Sequence, residues 1–153
     1  MLEIIETVTM SPRQYKVVIE GMRNPMNSWG KSDSRCVGHY TVSGCDEFVM
    51  GDNDLVLMKN LASLPPEHAK YRRMMPVWVT INAPLYWWQM IQLLPSSYNQ
   101  RRTVFLTYET LSNIFRQRKN HKLDEWHEFC DWIGTLPYPE LITTEVRTDG
   151  ISR

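Results

Sequence analysis

A cluster of basic residues near the end of a predicted helix is the first candidate for chemistry in this sequence. Its members are Arg116, Arg118, Lys119, His121 and Lys122. Guanidinium groups bind phosphate through paired, charge-assisted hydrogen bonds, so Arg118 is the candidate bidentate donor, with Arg101 and Arg102 able to join from the preceding segment. The competing interpretation is structural, because cations near a helix C-terminus complement the helix dipole.

Two adjacent tryptophans are the second candidate. Trp87 and Trp88 follow a predicted strand and a proline. Neighbouring side chains of a helix point about 100° apart, so we expect one ring in the core. The other ring, like that of Trp78, could stack on a base or a flavin, or fill a subunit interface. Packing alone is the competing interpretation for all three rings.

No complete catalytic or metal-binding motif is present. The sequence contains no glycine-rich dinucleotide or phosphate loop, no nucleophile elbow and no His-Glu-x-x-His. His127 and Cys130 are three residues apart, but a buried helical cysteine usually serves packing. Cys36, His39 and Cys45 match no standard zinc spacing. We therefore predict no catalytic residue and no metal ligand.

Composition limits the classes of function. The 153 residues suit one domain, and 17 basic residues balance 17 acidic ones, which argues against a general nucleic-acid binder. The apolar runs are shorter than the roughly 18 residues of a membrane span. Three cysteines without an export signal predict reduced thiols in a cytoplasm, and the start of the sequence does not resemble a signal peptide.

The first third of the chain is predicted as two strands and a long loop. Residues 2–8 are β-rich. In residues 15–20, apolar Tyr15, Val17 and Ile19 alternate with their neighbours, which predicts a half-buried strand. Residues 22–50 are rich in small and polar residues and are interpreted as a long ordered loop.

The remainder is predicted to contain helices around one clear strand. Residues 75–82 alternate cleanly and form the predicted central strand. Helices are expected at these positions: 53–64, with Asp52 as its cap, a short one at 66–73, 85–94, 108–119 capped by Thr107, and 125–134 capped by Asp124. This predicts a single α+β domain, residues 1–142, in which four or five helices pack on a small, mostly antiparallel sheet. Residues 143–153 form a polar, flexible tail.

Three stretches together resemble phage-borne proteins related to the flavin-dependent thymidylate synthases. They are Met22-Arg23-Asn24-Pro25-Met26-Asn27-Ser28-Trp29 with Lys31-Ser32-Asp33-Ser34, then Glu67-His68 running to Pro84-Leu85-Tyr86-Trp87-Trp88, and Leu94-Pro95 through Arg101-Arg102-Thr103 to Asn120-His121. The resemblance covers most of residues 1–142. It implies a shortened form of the thymidylate-synthase-complementing protein fold.

The resemblance also implies a homo-oligomer that binds FAD and dUMP between subunits and methylates dUMP. Glu67-His68 looks like the Glu-His that precedes the family's central strand, and Arg118 stands where an arginine of the nucleotide-site helix contacts ligand. After Trp87-Trp88, however, the segment that holds flavin and substrate in the catalytic family is missing. No cofactor is therefore expected in this short form, and FAD only if the enzyme interpretation holds.

Three functions remain open at this stage. The first is a shortened, non-catalytic phage protein that binds a dUMP-like nucleotide or phosphate, or another protein. The second is an FAD-dependent thymidylate synthase that is active as an oligomer. The third is a phage inhibitor of a host defence system, which would mask a host protein or sequester a nucleotide. All three place the protein in the cytoplasm of a bacterial cell, without a membrane partner.

Overall fold

The computed structural model describes residues 1–38, 46–88 and 99–145, and in this part of the chain helices and short antiparallel sheets form a small α+β fold. The strands are β1 (Glu3–Val8), β2 (Arg35–Val37), β3 (Glu47–Val49), β4 (Pro76–Pro84) and β5 (Asn99–Thr107). The helices are α1 (Pro12–Arg23), α2 (Asp52–Ala62), α3 (Leu85–Trp88), α4 (Tyr108–Arg118), α5 (Asp124–Ile133) and α6 (Glu140–Thr143). Single 3₁₀ turns span Asn24–Met26, Trp29–Lys31 and Lys70–Met74.

Strand β4 is the centre of an antiparallel sheet of order β1-β4-β5, as the alternation of residues 75–82 predicted. Val77, Val79 and Ile81 point to one face and are almost completely buried. That inner face carries the core, because the helices supply most of the other buried apolar side chains. The opposite, outer face remains exposed at Trp78 and Phe105.

The prediction of a strand at residues 15–20 is wrong, because this segment lies inside helix α1. Tyr15, Val18, Ile19 and Met22 are all buried and recur at the three- and four-residue spacing of a helix. The N–H of Ser11 donates to Oε1 of Gln14 at 2.8 Å, and a proline follows at the first helical position. These start signals and the longer period outweigh the local β-branched residues.

The prediction of one long loop over residues 22–50 is also wrong in part. The segment begins with the last residues of α1 and two 3₁₀ turns. Further along, β2 pairs with β3 in an antiparallel arrangement. Residues 39–45 lie outside the described part of the chain.

Several boundaries differ from the sequence-based expectations. Gly51, not Asp52, is the N-cap residue of α2, and Leu123, not Asp124, is that of α5. The short helix expected at 66–73 is instead a 3₁₀ turn at Lys70–Met74. Strand β5 and helix α6 were not anticipated. Of the helix expected at 85–94, Leu85–Trp88 is helical, and residues 89–98 and 146–153 lie outside the described chain.

The expectation of three reduced thiols is wrong for Cys36, which is disulfide-bonded. Cys130 is a free thiol, and burial raises its pKa, as does the nearby charge of Asp131. Within residues 1–38, 46–88 and 99–145, no helix has the length and apolarity needed to cross a membrane.

Candidate ligand-binding site

Helix α4 begins at a capping interaction and ends at the candidate phosphate donor. The hydroxyl of Thr107, the N-cap residue, accepts a hydrogen bond from the N–H of Thr110 at 3.3 Å. Leu111 is fully buried and Ile114 packs against the core, so this side of the helix faces the sheet. Arg118 is one turn further along the same side and therefore lies at the edge of the core.

The aromatic part of the site comes from α3 and α5. The ring centroid of Trp87 lies 4.7 Å from that of Trp88, 4.9 Å from that of Trp126 and 5.6 Å from that of Phe129. Trp126 and Phe129 are three residues apart on α5, so both rings lie on one side of that helix. Four aromatic rings thus pack together where α3, α5 and the inner face of the sheet meet.

A cavity of about 260 Å³ opens among these rings. It is lined by Ile81, Trp87, Trp88, Val104, Leu106, Ile114, Arg118, Trp126 and Phe129. Drug-sized ligands occupy cavities of roughly 300–1,000 Å³, so this one suits a single ring with small substituents. Its wall combines apolar and aromatic surface with one cation.

Arg118 supplies that cation. Its guanidinium carbon lies 4.9 Å from the ring centroid of Trp126, which is a cation–π geometry. In the described chain no carboxylate forms an ion pair with Arg118, and its side chain is half-buried. The planar fork of Arg118 therefore keeps hydrogen-bond donors for an anion that enters the cavity.

The indole N–H groups of the two adjacent tryptophans differ. Nε1 of Trp88 donates to the carbonyl oxygens of Ala83 at 3.2 Å and Gln100 at 3.4 Å. Nε1 of Trp87 is buried and has no acceptor among the described residues. A buried donor without an acceptor costs about 1–3 kcal/mol, so this N–H offsets part of the stabilisation gained by burying the Trp87 ring.

Arg102 and His121, two of the other predicted site residues, lie beside the cavity. The guanidinium carbon of Arg102 lies 5.3 Å from the centroid of the Trp88 ring, and the guanidinium donates to Oε1 of Gln100. Arg102 therefore packs against Trp88, which lines the cavity. The His121 ring lies 6.2 Å from that of Trp126, and its Nδ1 accepts from the N–H of Leu123. Both residues neighbour the cavity without lining it.

Arg116, Arg101 and Trp78 are not part of the cavity wall. Arg116 donates to Oδ1 of Asn113, its neighbour on the exposed side of α4. Arg101 alternates with Arg102 along β5 and shares the outer face of the sheet with Trp78. The predicted phosphate cluster is therefore separated, and only Arg118 reaches the cavity.

Sequence reasoning missed the part that β5 and α5 play in the site. Val104 and Leu106 alternate with exposed Thr103 and Phe105, which is a strand signal, but the preceding arginines suggested a loop. Trp126 was expected to face inward, yet nothing in its spacing connected it to Arg118. That contact depends on how α4 and α5 pack.

A buried polar cluster joins residues 23–34, part of the first stretch of the family resemblance, to the start of α2. Nε of Arg23 donates to Oδ1 of Asp54 at 2.5 Å, and both side chains are buried. The other carboxylate oxygen accepts from the Ser32 hydroxyl at 2.7 Å and from the N–H groups of Asp33 and Ser34. Burial alone would raise the pKa of Asp54, but hydrogen bonds from Ser34, Ser32 and Arg23 hold it below the ordinary 3.8.

Asp33 completes this cluster from the opposite direction. Its carboxylate accepts from the N–H groups of Asn53 at 2.9 Å and Asp54 at 3.2 Å, which are orphan donors at the start of α2. The arrangement requires glycine at position 51, because a Cβ there would meet the Asp33 carboxylate at 2.1 Å. Each oxygen of both carboxylates accepts at least one hydrogen bond from the protein, so the cluster stabilises the fold around the start of α2.

The cavity does not fit FAD. That cofactor carries two ring systems and a diphosphate, whereas the cavity holds about 260 Å³ and Arg118 is the one cation lining it in the described chain. No protein-family model matches this sequence, and comparison with curated proteins and with solved structures gave no match either.

Proposed function

We propose that this protein is a non-catalytic nucleotide-binding module, related to the phage proteins that resemble shortened flavin-dependent thymidylate synthases. The observation that supports the proposal best is the position of Arg118. Its guanidinium lies over Trp126, has no carboxylate partner in the described chain and lines an aromatic cavity. A planar base stacked among the tryptophans would place its phosphate near this cation.

Aromatic stacking and a cation in the cavity wall favour a nucleotide over a simple apolar ligand. A base stacked on aromatic side chains gains about 1–3 kcal/mol. A charge-assisted hydrogen bond to Arg118 contributes about 1.5–3 kcal/mol. Association costs several kcal/mol of translational and rotational freedom, so we expect weak binding, in the micromolar to millimolar range.

Isothermal titration calorimetry with dUMP, FAD and inorganic phosphate tests the proposal. We expect dUMP to bind more tightly than phosphate, because the base adds stacking, and we expect no binding of FAD. The same titrations with Arg118→Ala and with Arg116→Ala, an arginine two residues away that does not line the cavity, separate a local contact from general charge. A failure of dUMP and phosphate to bind at millimolar concentration would contradict the proposal.

The alternative functions predict different results in the same samples. An active flavoenzyme would be yellow when purified and would methylate dUMP. A phage inhibitor that masks a host protein would bind none of the three ligands.

We also propose that the protein acts in the bacterial cytoplasm. Rapid thiol labelling of freshly lysed cells tests this location. A reducing cytoplasm keeps thiols free, so the disulfide of Cys36 should form only after lysis and Cys36 should react with the label.

We further propose that the chain forms a homo-oligomer, as the family resemblance implies. Exposed aromatic side chains on the sheet support this proposal, because an isolated small domain leaves them in water.

A further inference from the structure

The outer face of the sheet is organised in three rows that cross all its strands. Each row takes one residue from β1, one from β4 and one from β5. The rows are Val8, Trp78 and Phe105; Glu6, Thr80 and Thr103; and Glu3, Asn82 and Arg101. This set of nine residues is called the outer face below.

The first row is apolar and open to water. Val8 is 48% exposed, Trp78 39% and Phe105 59%, and the two rings lie 5.3 Å apart between centroids. Residues that face one another across strands form a continuous surface. A contiguous apolar surface of this kind marks an interaction site more often than a single exposed side chain does.

The other two rows are polar, and their charge differs between the β1 edge and the β5 edge of the sheet. The hydroxyls of Thr80 and Thr103 hydrogen-bond at 2.9 Å, and Glu6, at the β1 end of the middle row, is exposed to water. In the third row, the acidic Glu3 on β1 and the basic Arg101 on β5 lie on either side of Asn82, whose amide donates to Glu3 at 3.3 Å. One edge of the outer face is therefore acidic and the other basic.

We propose that a second copy of this chain packs on the outer face, with the two-fold axis lying in the interface about 15° from the direction of β4. Such a rotation exchanges β1 with β5 and keeps each row opposite the same row of the partner. Trp78 then meets its own counterpart, and Val8 of each copy meets Phe105 of the other. Glu3 of each copy faces Arg101 of the other, so the two opposite charges meet twice.

The alternative axis, perpendicular to the strands within the interface, is disfavoured. It places the apolar row opposite the row of Glu3, Asn82 and Arg101, and so buries charges without partners. In the favoured arrangement the sheets pack about 10 Å apart at roughly 30°. That angle shifts each edge strand, along its length, by about 2.5 Å relative to the strand it faces in the partner. The shift is less than half of the spacing between rows, which is about 6.8 Å, so the rows stay matched.

The inference identifies the surface that forms the proposed oligomer and does not depend on the proposed ligand. The outer face and the aromatic cavity lie on opposite sides of the sheet, since Val104 and Leu106 line the cavity while Thr103 and Phe105 point away from it. Assembly and ligand binding can therefore be changed separately.

Sedimentation velocity over a range of micromolar concentrations tests the interface. We expect a dimer for the wild type and a monomer for Phe105→Glu, which places a charge in the apolar row. The control is Val56→Glu, because Val56 is comparably exposed, at 56%, but lies on α2. A wild type that remains monomeric, or a dimer that survives Phe105→Glu, would overturn the proposal.

A charge exchange tests the orientation. Glu3→Arg alone and Arg101→Glu alone should each weaken dimerisation by about five- to thirtyfold, because two exposed charge pairs are affected per dimer. The double variant should recover most of this loss. If the double variant is as weak as the sum of the singles, the proposed axis is wrong. Calorimetry with dUMP on monomeric Phe105→Glu should match the wild type, so failure of the interface and failure of the ligand site are distinguishable.

Discussion

The guanidinium of Arg118 lies over the indole of Trp126, with 4.9 Å between the guanidinium carbon and the ring centroid. This contact joins the last residue of α4 to the first turn of α5 and holds the cation at the wall of the cavity. A cation–π contact of this kind contributes roughly 0.5–2 kcal/mol, which is enough to pre-orient a long side chain but not to saturate its hydrogen-bond donors.

Arg118→Ala should lower the affinity for dUMP by ten- to a hundredfold, because it removes a charge-assisted hydrogen bond of about 1.5–3 kcal/mol. Arg118→Lys should recover part of the loss, since lysine keeps the charge but not the planar fork. Calorimetry measures both, with Arg116→Ala as the control that should bind as the wild type does. An unchanged affinity in Arg118→Ala would make this residue a purely structural one.

Trp87→Phe should cost less stability than Trp88→Phe, although Trp87 is the more buried of the two. The first change removes a buried N–H that has no acceptor among the described residues, so the lost packing is offset. The second removes a donor bound to the carbonyl of Ala83. Urea denaturation should give a difference of about 1 kcal/mol between the variants, and the opposite order would contradict this account.

Asp54→Ala should destabilise the fold by about 3–5 kcal/mol, because it leaves the buried cation of Arg23 without its carboxylate. Arg23→Met combined with Asp54→Leu should cost less than Asp54→Ala alone, since neither charge then remains in the interior. Thermal unfolding followed by circular dichroism measures both. A loss below about 1 kcal/mol in Asp54→Ala would mean that the ion pair is not formed in solution.

The same carboxylate predicts a loss of stability in acid. The pKa of Asp54 is lower in the folded chain than the ordinary 3.8, so the unfolded chain binds more protons as the pH falls. The stabilisation is complete above a pH of about 5 and decreases below about 4, through the folded pKa. Urea titrations at several pH values should show this slope in the wild type and a shallower one in Asp54→Asn. Equal slopes would contradict the assignment.

Gly51→Ala should destabilise the protein by about 1–3 kcal/mol, because its Cβ would collide with the Asp33 carboxylate that caps α2. Gly30→Ala is the matched control, since no atom lies within 4 Å of a Cβ built at that position. It should be neutral or slightly stabilising. Comparable melting temperatures for the two variants would show that the segment around Asp33 can move away without cost.

Local patterns predicted the elements that local forces determine. The alternation around Val77 and Val79 indicated β4, and the threonine at position 107 marked the start of α4. Arg118, Trp87 and Trp88 were singled out by residue type, and the structure brings these three to one cavity. The α+β class followed from the same combination of periods.

Long-range pairing explains what the sequence did not reveal. Strand β5 contains Arg101 and Arg102, which have little intrinsic preference for strands, and it is stabilised by nine residues paired with β4. Residues 15–20 satisfied a strand pattern locally, and the burial of Val18 and Met22 in the same stripe distinguishes a helix. The separation of Arg101 from Arg118 follows from β-strand alternation in a strand that was not anticipated.

The crowding of Trp87, Trp88 and Trp126 has an optical consequence. Their ring centroids are separated by 4.7 and 4.9 Å, and the first pair is nearly perpendicular at 84°. Excited states of indoles this close are shared between them, so light absorbed by any one ring can be emitted or quenched at another. Occupation of the cavity by a single base would therefore dim all three emitters together, and the protein carries its own fluorescent reporter without any label.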